Sequence, residues 1–407
     1  MGRNYRSSEL LEMRTTPFNP KDAKDTSDLL DMCVKAMQDT HRSTREKALA
    51  ALAGALEALP PLGDELDNRC FCIFALCGVR IKEGSYKEER LAFRAAGLLA
   101  LTLRAAAPGF LAHSFPLIAR MIEDRYYAPT LLATLDCLAA VTFAGARGKE
   151  DVERSMKAVW DLVFFPSVSG EASETKPSPQ VLVAAVSTWT FLLTTIVSVT
   201  DAHRKGDSAA WNATVASLAG LLDHDDRAVR MAAGEALAVC VELNLTQHAP
   251  RKDMDALAAK VSELASEPPG RGLNNAALPQ QKDLFREIAA FLDHGERPEK
   301  SLPTSMEGCV ALEVSTWAKS VQLNFLTRFL GNGFVKHVQD NELFKDAFSY
   351  GADAGKVLSV AKKKHSSNMD RHFKVKPDRL WLHWNIFCLY PYRARHKPET
   401  LLLVGRN

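Results

Sequence analysis

The chain has 407 residues, of which 46% are hydrophobic, and its 51 lysines and arginines nearly balance 49 aspartates and glutamates. Such a composition is ordinary for a folded protein, and the small net charge removes any bulk electrostatic reason for a nucleic-acid partner. No run approaches the ~20 apolar residues of a membrane span, and the N-terminus has no apolar core of signal-peptide length. We therefore expect a soluble, intracellular protein with no membrane partner.

The first predicted element is a helix-turn-helix unit, preceded by a flexible N-terminus over residues 1–24. Asp39 opens a turn in which Arg42 and Arg45 stand three residues apart. Ala48 and Leu52 then follow Arg45 by three and seven residues. These steps place both side chains on one face of an amphipathic helix.

Related units follow along the chain. Residues 89–103 form a looser copy, and residues 131–143 and 181–197 are further apolar helices without the arginine turn. The clearest copy is 221–243, where an acidic turn precedes a helix rich in alanine and glycine. Small residues on that face allow a neighbouring helix to approach closely.

The copy at 221–243 repeats the first unit residue by residue. Arg227 and Arg230 stand three apart, and Ala233 and Leu237 follow Arg230 by three and seven. These helices recur at roughly 40–50 residues, the period of HEAT and armadillo repeats, and one such unit cannot bury its apolar face alone. The pattern predicts an all-α fold, namely an armadillo/HEAT-like α-solenoid.

The solenoid is predicted to cover residues 25–296. Polar segments with prolines predict mobile loops at 167–180 and 266–281, and a boundary at 294–304. A small helical module is then predicted over 305–373. In it, the Gly331–Gly333 turn ends a first helix, and Asp340 or Asn341 caps a third.

The C-terminal residues resemble the C-terminal domain of the interferon-related developmental regulator family. We expect the family motif residues to be mostly structural; they are Trp317, Gln322, Asn324, Gly331, Gly333, His337, Asn341 and Phe348. The repeats are similar to the N-terminal region of the same family. There the matching motifs are Glu89-Arg90, Arg94-Ala-Ala, Arg230-Met-Ala-Ala-Gly-Glu235 and Lys282-Asp-Leu-Phe285-Arg286.

The resemblance implies an armadillo-like, non-enzymatic regulator. Family members are described as factors that bind translationally inactive ribosomes, with the solenoid in tRNA sites and a basic C-terminal helix in the mRNA path. It therefore implies the ribosome and its rRNA as partners, repression or holding of translation, and a cytoplasmic location. The alternative is a nuclear transcriptional co-regulator that binds regulatory protein partners through the solenoid groove.

The chain departs from the family pattern after Phe373. Family members continue there as a helix rich in lysine, arginine and alanine, whereas residues 374–407 form an atypical basic and aromatic tail. Pro377, Pro391 and Pro398 make this tail a poor helix.

The basic run across this junction is the candidate RNA- and ribosome-binding site. Its residues are Lys362, Lys363, Lys364, Arg371, Lys374, Lys376 and Arg379. Phosphate backbones favour such clusters through counterion release, and Trp381 and Trp384 can stack on unpaired bases. The alternative is a solvated tail that carries a localisation signal or no function.

The arginines of the repeat turns allow two interpretations. They are Arg42, Arg45, Arg90, Arg94, Arg227 and Arg230. They can form a basic ridge suited to rRNA phosphates, or they can pair internally with the acidic residues of their own turns. Internal pairing is favoured, because Asp39, Glu89 and Asp226 lie within reach.

Nothing in the sequence predicts catalysis. His337 and Asp340 lack a neighbouring nucleophile motif, so His337 is interpreted as a capping or packing residue. Cys70 and Cys77 share a helix face while Cys72 points elsewhere, so the three cannot bind one metal, and buried, reduced thiols are expected. We predict a protein that is not an enzyme and has no cofactor, no metal and no small-molecule substrate.

Overall fold

The computed structural model describes residues 18–58, 63–124, 127–164, 177–196, 208–247, 249–270, 275–303 and 311–348. Regular structure in these ranges is almost entirely α-helical, and the first twelve helices form consecutive pairs. The pairs are α1 (Thr26–Ala36) with α2 (Arg42–Glu57), α3 (Gly63–Glu83) with α4 (Tyr86–Thr102), α5 (Ala107–Glu123) with α6 (Ala128–Gly145), α7 (Lys149–Phe164) with α8 (Pro179–Ile196), α9 (Ser208–Gly220) with α10 (Arg227–Glu242), and α11 (Arg251–Ser266) with α12 (Leu278–His294).

The second helices of the pairs stack in chain order, α2 on α4 and so on to α10 on α12. We call them the inner layer, because they lie between the first helices and the C-terminal helices. Their starts recur at roughly the 40–50 residues expected of HEAT and armadillo repeats. The predicted all-α, solenoid-like fold is confirmed.

The repeat pattern forms the core of the stack. Ala48 and Leu52 in α2 and Ala233 and Leu237 in α10 are all buried. Gly234 shows why small residues are needed there, since a Cβ atom on it would lie 2.8 Å from the ring of Phe285. Helix α12 therefore packs directly on the backbone of α10.

Two inner helices match a membrane span by length and composition alone. Helices α6 and α8 each have 18 residues with a mean hydropathy of 1.4. Each contacts its own hairpin partner and an inner-layer helix on either side, and α8 also contacts the C-terminal helices. A helix that is apolar all round is typical of one buried among neighbours, and the position of α6 and α8 accounts for their hydropathy in this way.

Two details differ from the sequence-based expectation. Helix α12 begins at Leu278, inside the loop predicted over 266–281, because Pro279 stands in its first turn, where proline starts a helix rather than breaking one. After α12, strands β1 (Lys300–Pro303) and β2 (Ala311–Val314) form an antiparallel hairpin in which Lys300 pairs with Val314. Strands of four residues are too short for a readable alternation.

Three helices follow the hairpin: α13 (Trp317–Leu330), α14 (Phe334–Asp340) and α15 (Glu342–Ala347). A single 3-10 turn over Gly331–Gly333 joins α13 to α14. We call residues 317–348 the C-terminal arm. The arm does not stand apart from the repeats, because α13 packs on α8 and α10 of the inner layer.

Candidate functional site

The C-terminal arm crosses the inner layer from α10 back to α2. It contacts one residue after another on successive inner helices. The contacts are Trp317 with Glu242 of α10, Gln322 with Thr194 of α8, Arg328 with Asp136 of α6, Phe329 with Gly97 of α4, and Gly333 with Glu57 of α2. The family motif residues predicted from sequence thus lie along this one face, with the exception of the exposed Asn324.

The start of α13 is fixed by two caps. The hydroxyl of Thr316 accepts a hydrogen bond from the Lys319 backbone N–H at 3.1 Å. The carboxylate of Glu242 accepts from the backbone N–H groups of Trp317 and Ala318, at 3.0 and 2.8 Å. A carboxylate at a helix N-terminus satisfies free N–H groups and complements the helix dipole. Trp317 itself is buried.

The middle of α13 is held by polar and aromatic contacts. The Nε2 atom of Gln322 donates to Oγ1 of Thr194 at 3.0 Å, in a buried position. One turn later, the ring of Phe325 lies 4.1 Å from that of Phe191, measured between centroids. Asn324, between them in sequence, is exposed and points away from this contact.

The end of α13 carries a bidentate ion pair. The guanidinium of Arg328 donates to both carboxylate oxygens of Asp136, at 2.6 and 2.8 Å, and this hydrogen bonding raises the pKa of Arg328. Next to it, the guanidinium of Arg94 lies 5.1 Å above the ring of Phe329. Arg94 also pairs with Glu57 at 2.8 Å. The two arginines thus connect α13 with α6, α4 and α2.

The glycine turn fits against the end of α2. Gly331 has a φ of +52°, in the region that favours glycine. A Cβ atom on Gly333 would lie only 1.8 Å from the backbone oxygen of Glu57. Both glycines are therefore required, one for its backbone conformation and one for close packing.

His337 is a buried packing residue. Its Nε2 lies 3.2 Å from the carbonyl of Leu56, to which it donates, and its Nδ1 accepts from the side-chain amide of Asn341 at 3.3 Å. Asn341 also donates to the carbonyl of Leu101 and caps α15 by accepting from Leu343 N. Burial lowers the pKa of His337, against the opposing effect of the Leu56 carbonyl. A neutral imidazole satisfies every one of these bonds.

The arm ends beside its own beginning. Phe348 is buried, and its ring lies 5.4 Å from the ammonium of Lys319. Lys319 also donates to Oε1 of Gln322 at 3.1 Å. Burial lowers the pKa of Lys319. The path from α13 through α14 and α15 therefore closes on itself.

The repeat arginines pair internally, but the carboxylates that Arg45 and Arg230 bind are not the predicted ones. Arg45 and Arg230 each donate to the backbone carbonyl six residues earlier. Each also pairs with a glutamate of the following repeat, Glu88 at 2.5 Å and Glu267 at 3.0 Å. The carboxylate of Asp226, a predicted partner, instead caps α10 by accepting from two backbone N–H groups. The side-chain oxygen of an N-cap residue accepts hydrogen bonds from the first backbone N–H groups of its own helix.

The remaining turn arginines also pair within the repeats where the structure shows a pair, but not always with the following repeat. Arg227 pairs with Glu267, Arg94 with Glu57 and Arg42 with Glu46. Glu88 and Glu267 were missed, although a signal for them exists. Each lies about one repeat period after the arginine it binds.

The remaining candidate site residues lie partly inside and partly outside the described ranges. Within the described ranges, no three metal-ligating side chains come together. Asp340, considered beside His337, pairs with Lys336. Burial raises the pKa of the Cys77 thiol to about 12. The predicted RNA-binding run at 362–379 lies outside the described residues, as do 374–407 and 1–17.

A cationic cleft was not visible in the sequence. It has a volume of about 600 Å³ and lies where the ends of α6, α8 and α10 meet the start of α13. Arg147, Arg297 and Lys319 line it, together with the carboxylate of Glu242. These residues come from four separate parts of the chain and belong to no local motif.

Comparison with known proteins agrees with the helical repeats. The family model described as Interferon-related developmental regulator matches residues 4–293. Interferon-related developmental regulator 2 of Mus musculus is 28% identical over 328 residues, covering 78% of this chain and 71% of that protein. Interferon-related developmental regulator 1 is 23% identical over 349 residues in Mus musculus, covering 82% and 74%, and 22% identical over 346 residues in Homo sapiens, covering 82% and 73%. Since the family model spans well over half of its length, the chain belongs to the interferon-related developmental regulator family.

Proposed function

We propose that the protein is a non-enzymatic regulatory scaffold that binds translationally inactive ribosomes and represses or holds translation in the cytoplasm. Membership of a family of regulators supports the regulatory role. The ribosome as partner follows from the resemblance of the repeats and the C-terminal helices to that family.

The observation that carries the proposal is the position of the C-terminal arm. The arm covers the inner layer from α2 to α10 and buries the aromatic rings of Trp317, Phe325 and Phe329 against it. A groove filled by its own chain is not open to an extended protein segment. A partner would then bind the edges and the outer face of the helical stack, which are already folded. A preformed surface suits a large, rigid partner because little conformational entropy is lost on binding.

The same observation weighs against the alternative function. A nuclear transcriptional co-regulator that binds protein segments through the solenoid groove would first have to release the arm. Release would expose Phe329 and Trp317 and separate Arg328 from Asp136. Protein partners of a nuclear form would therefore bind elsewhere on the surface.

The test is co-sedimentation of the full chain with purified 80S ribosomes. We expect binding that weakens steeply as salt rises from about 50 to 200 mM, because phosphate contacts release counterions. A truncation ending at Phe373 and the double variant Lys363→Gln, Lys364→Gln separate the contribution of the C-terminal basic run from that of the repeats. The exposed pair Arg251→Gln and Arg286→Gln serves as the charge-matched control.

Two outcomes would overturn the proposal. One is no co-sedimentation at any salt concentration. The other is recovery of chromatin proteins without rRNA when the tagged protein is purified from cells, which would favour the nuclear alternative. Binding that does not depend on salt would argue against docking through phosphates.

A further inference from the structure

The cleft at the start of α13 has the size of a ligand site. Its volume is about 600 Å³, within the roughly 300–1,000 Å³ of pockets that hold small ligands. A single carboxylate side chain would leave most of this space empty. The size favours an occupant with both a charged group and a flat apolar group.

The charges in the cleft favour an anion. Arg147 and Arg297 are exposed, and within the described ranges neither forms an ion pair. Lys319 contributes a third cation, placed between Gln322 and the ring of Phe348. Three positive charges therefore face one carboxylate.

The polar groups of the cleft are already hydrogen-bonded within the protein. Both oxygens of Glu242 accept from backbone N–H groups of α13. At the end of α8, the hydroxyls of Thr194 and Thr195 donate to backbone carbonyls at 2.6 and 2.7 Å. Gln322 donates to Thr194. The groups left to bind a ligand are Arg147, Arg297 and the apolar wall.

The apolar wall supplies the second half of the site. Phe143 and Leu343 line the same cleft as the arginines, with Val152 and Leu243 beside them. An aromatic ring beside arginines is the arrangement by which proteins bind unpaired nucleotides, since bases stack on the ring while the guanidinium groups bind phosphate.

From this geometry we propose that the cleft binds one nucleotide of single-stranded RNA, with its phosphate on Arg147 and Arg297 and its base against Phe143. The proposal rests on the proposed function in one respect, since the ribosome would supply the RNA. An acidic peptide satisfies the cations but has no flat group for the apolar wall. RNA is therefore the occupant that uses both halves of the site.

The experiment measures binding of a fluorescein-labelled oligouridylate to the full chain by anisotropy. The double variant Arg147→Gln, Arg297→Gln is compared with Arg251→Gln, Arg286→Gln, which removes the same charge from exposed positions on α11 and α12. We expect affinity to fall at least tenfold in the cleft variant and less than twofold in the control. The slope of log K against log salt concentration should also become shallower by about 0.7 for each phosphate group that the variant no longer binds.

A photo-cross-link locates the binding position independently of affinity. Oligouridylate carrying 4-thiouridine should cross-link to peptides that contain Phe143 or Leu343, and uridine monophosphate should compete better than inorganic phosphate if the base is bound as well as the phosphate. Cross-links found only in residues 349–407, with equal affinity in both double variants, would overturn the proposal. Equal competition by oligoglutamate would assign the cleft to acidic peptides instead.

The two proposals fail in different ways. Suppose that the wild-type chain does not co-sediment with ribosomes, yet it binds oligouridylate and the cleft variant does not. The ribosome is then the wrong source of RNA and the cleft remains a nucleotide site. If the wild-type chain co-sediments and the cleft variant binds oligouridylate unchanged, the cleft proposal fails by itself.

Discussion

Replacing Phe329 by alanine tests whether the arm is an integral part of the repeat stack. Phe329 is 1% exposed, and its ring stacks on Phe325 at 5.7 Å. Removal of a fully buried phenylalanine ring costs about 3–5 kcal/mol. The guanidinium of Arg94 above the ring adds about 0.5 kcal/mol, at the low end because Arg94 is one-third exposed. We expect about 4 kcal/mol in all, or roughly a thousandfold in the unfolding constant.

Hydrogen exchange followed by mass spectrometry is the suitable assay, since it reports the arm and each repeat separately. Phe329→Ala should accelerate exchange in α13 and also in α4, where Gly97 faces the ring. Val335→Ala is the matched control, because Val335 lies in the same arm but is 40% exposed, and it should cost less than about 0.5 kcal/mol. A change confined to residues 317–348, or a cost below about 1 kcal/mol, would refute the reasoning.

Three further predictions follow from the same contacts. Gly97→Ala should cost about 1–3 kcal/mol in urea denaturation because the new Cβ would lie 2.8 Å from Phe329. The cost should be smaller in the Phe329→Ala background, where the contact with Ala140 at 3.2 Å remains but the ring is gone; additive costs would contradict this. Arg230→Met should cost about 3 kcal/mol by the same measurement, because it leaves the half-buried Glu267 and the buried Gln281 without that partner. An effect below about 1 kcal/mol would show that the pair contributes little. Burial lowers the pKa of His337 below its usual 6.5, so the unfolded chain takes up the proton first as pH falls. The contribution of neutral His337 to stability is therefore complete above about pH 6.5 and lost as pH falls through the lowered value. His337→Asn should flatten the pH dependence of the denaturation midpoint in that window, and an unchanged slope would show that His337 does not cause it.

The repeats could be predicted because their signal is local. Ala233 and Leu237 follow Arg230 at helical steps, and the same steps recur near Arg45, so both helices and their buried faces are visible in the sequence. The choice of ion-pair partner is less local. Arg45 binds Glu88 across 43 residues, and only the repeat period hints at that distance.

The path of the arm could not be predicted, because its contacts join residues that no local pattern relates. Arg328 and Asp136 are 192 residues apart in the chain, and His337 and Leu56 are 281 apart. The helices of the arm are visible in the sequence as apolar faces. An apolar face indicates that a helix is covered but not which surface covers it. The cationic cleft forms where the arm meets the inner helices, so it could not be predicted from local sequence patterns either.

The arm also changes the energetics expected of a solenoid. In a simple solenoid each repeat contacts only its neighbours, so stability is a sum of local terms. Here α13 and α14 touch inner helices from α10 back to α2, and these contacts can form only when the intervening repeats are in place. The cleft needs α6, α8, α10 and α13 together. A nucleotide bound there would consequently stabilise the complete stack over any partly unfolded one, because ligands stabilise only the states that contain their site.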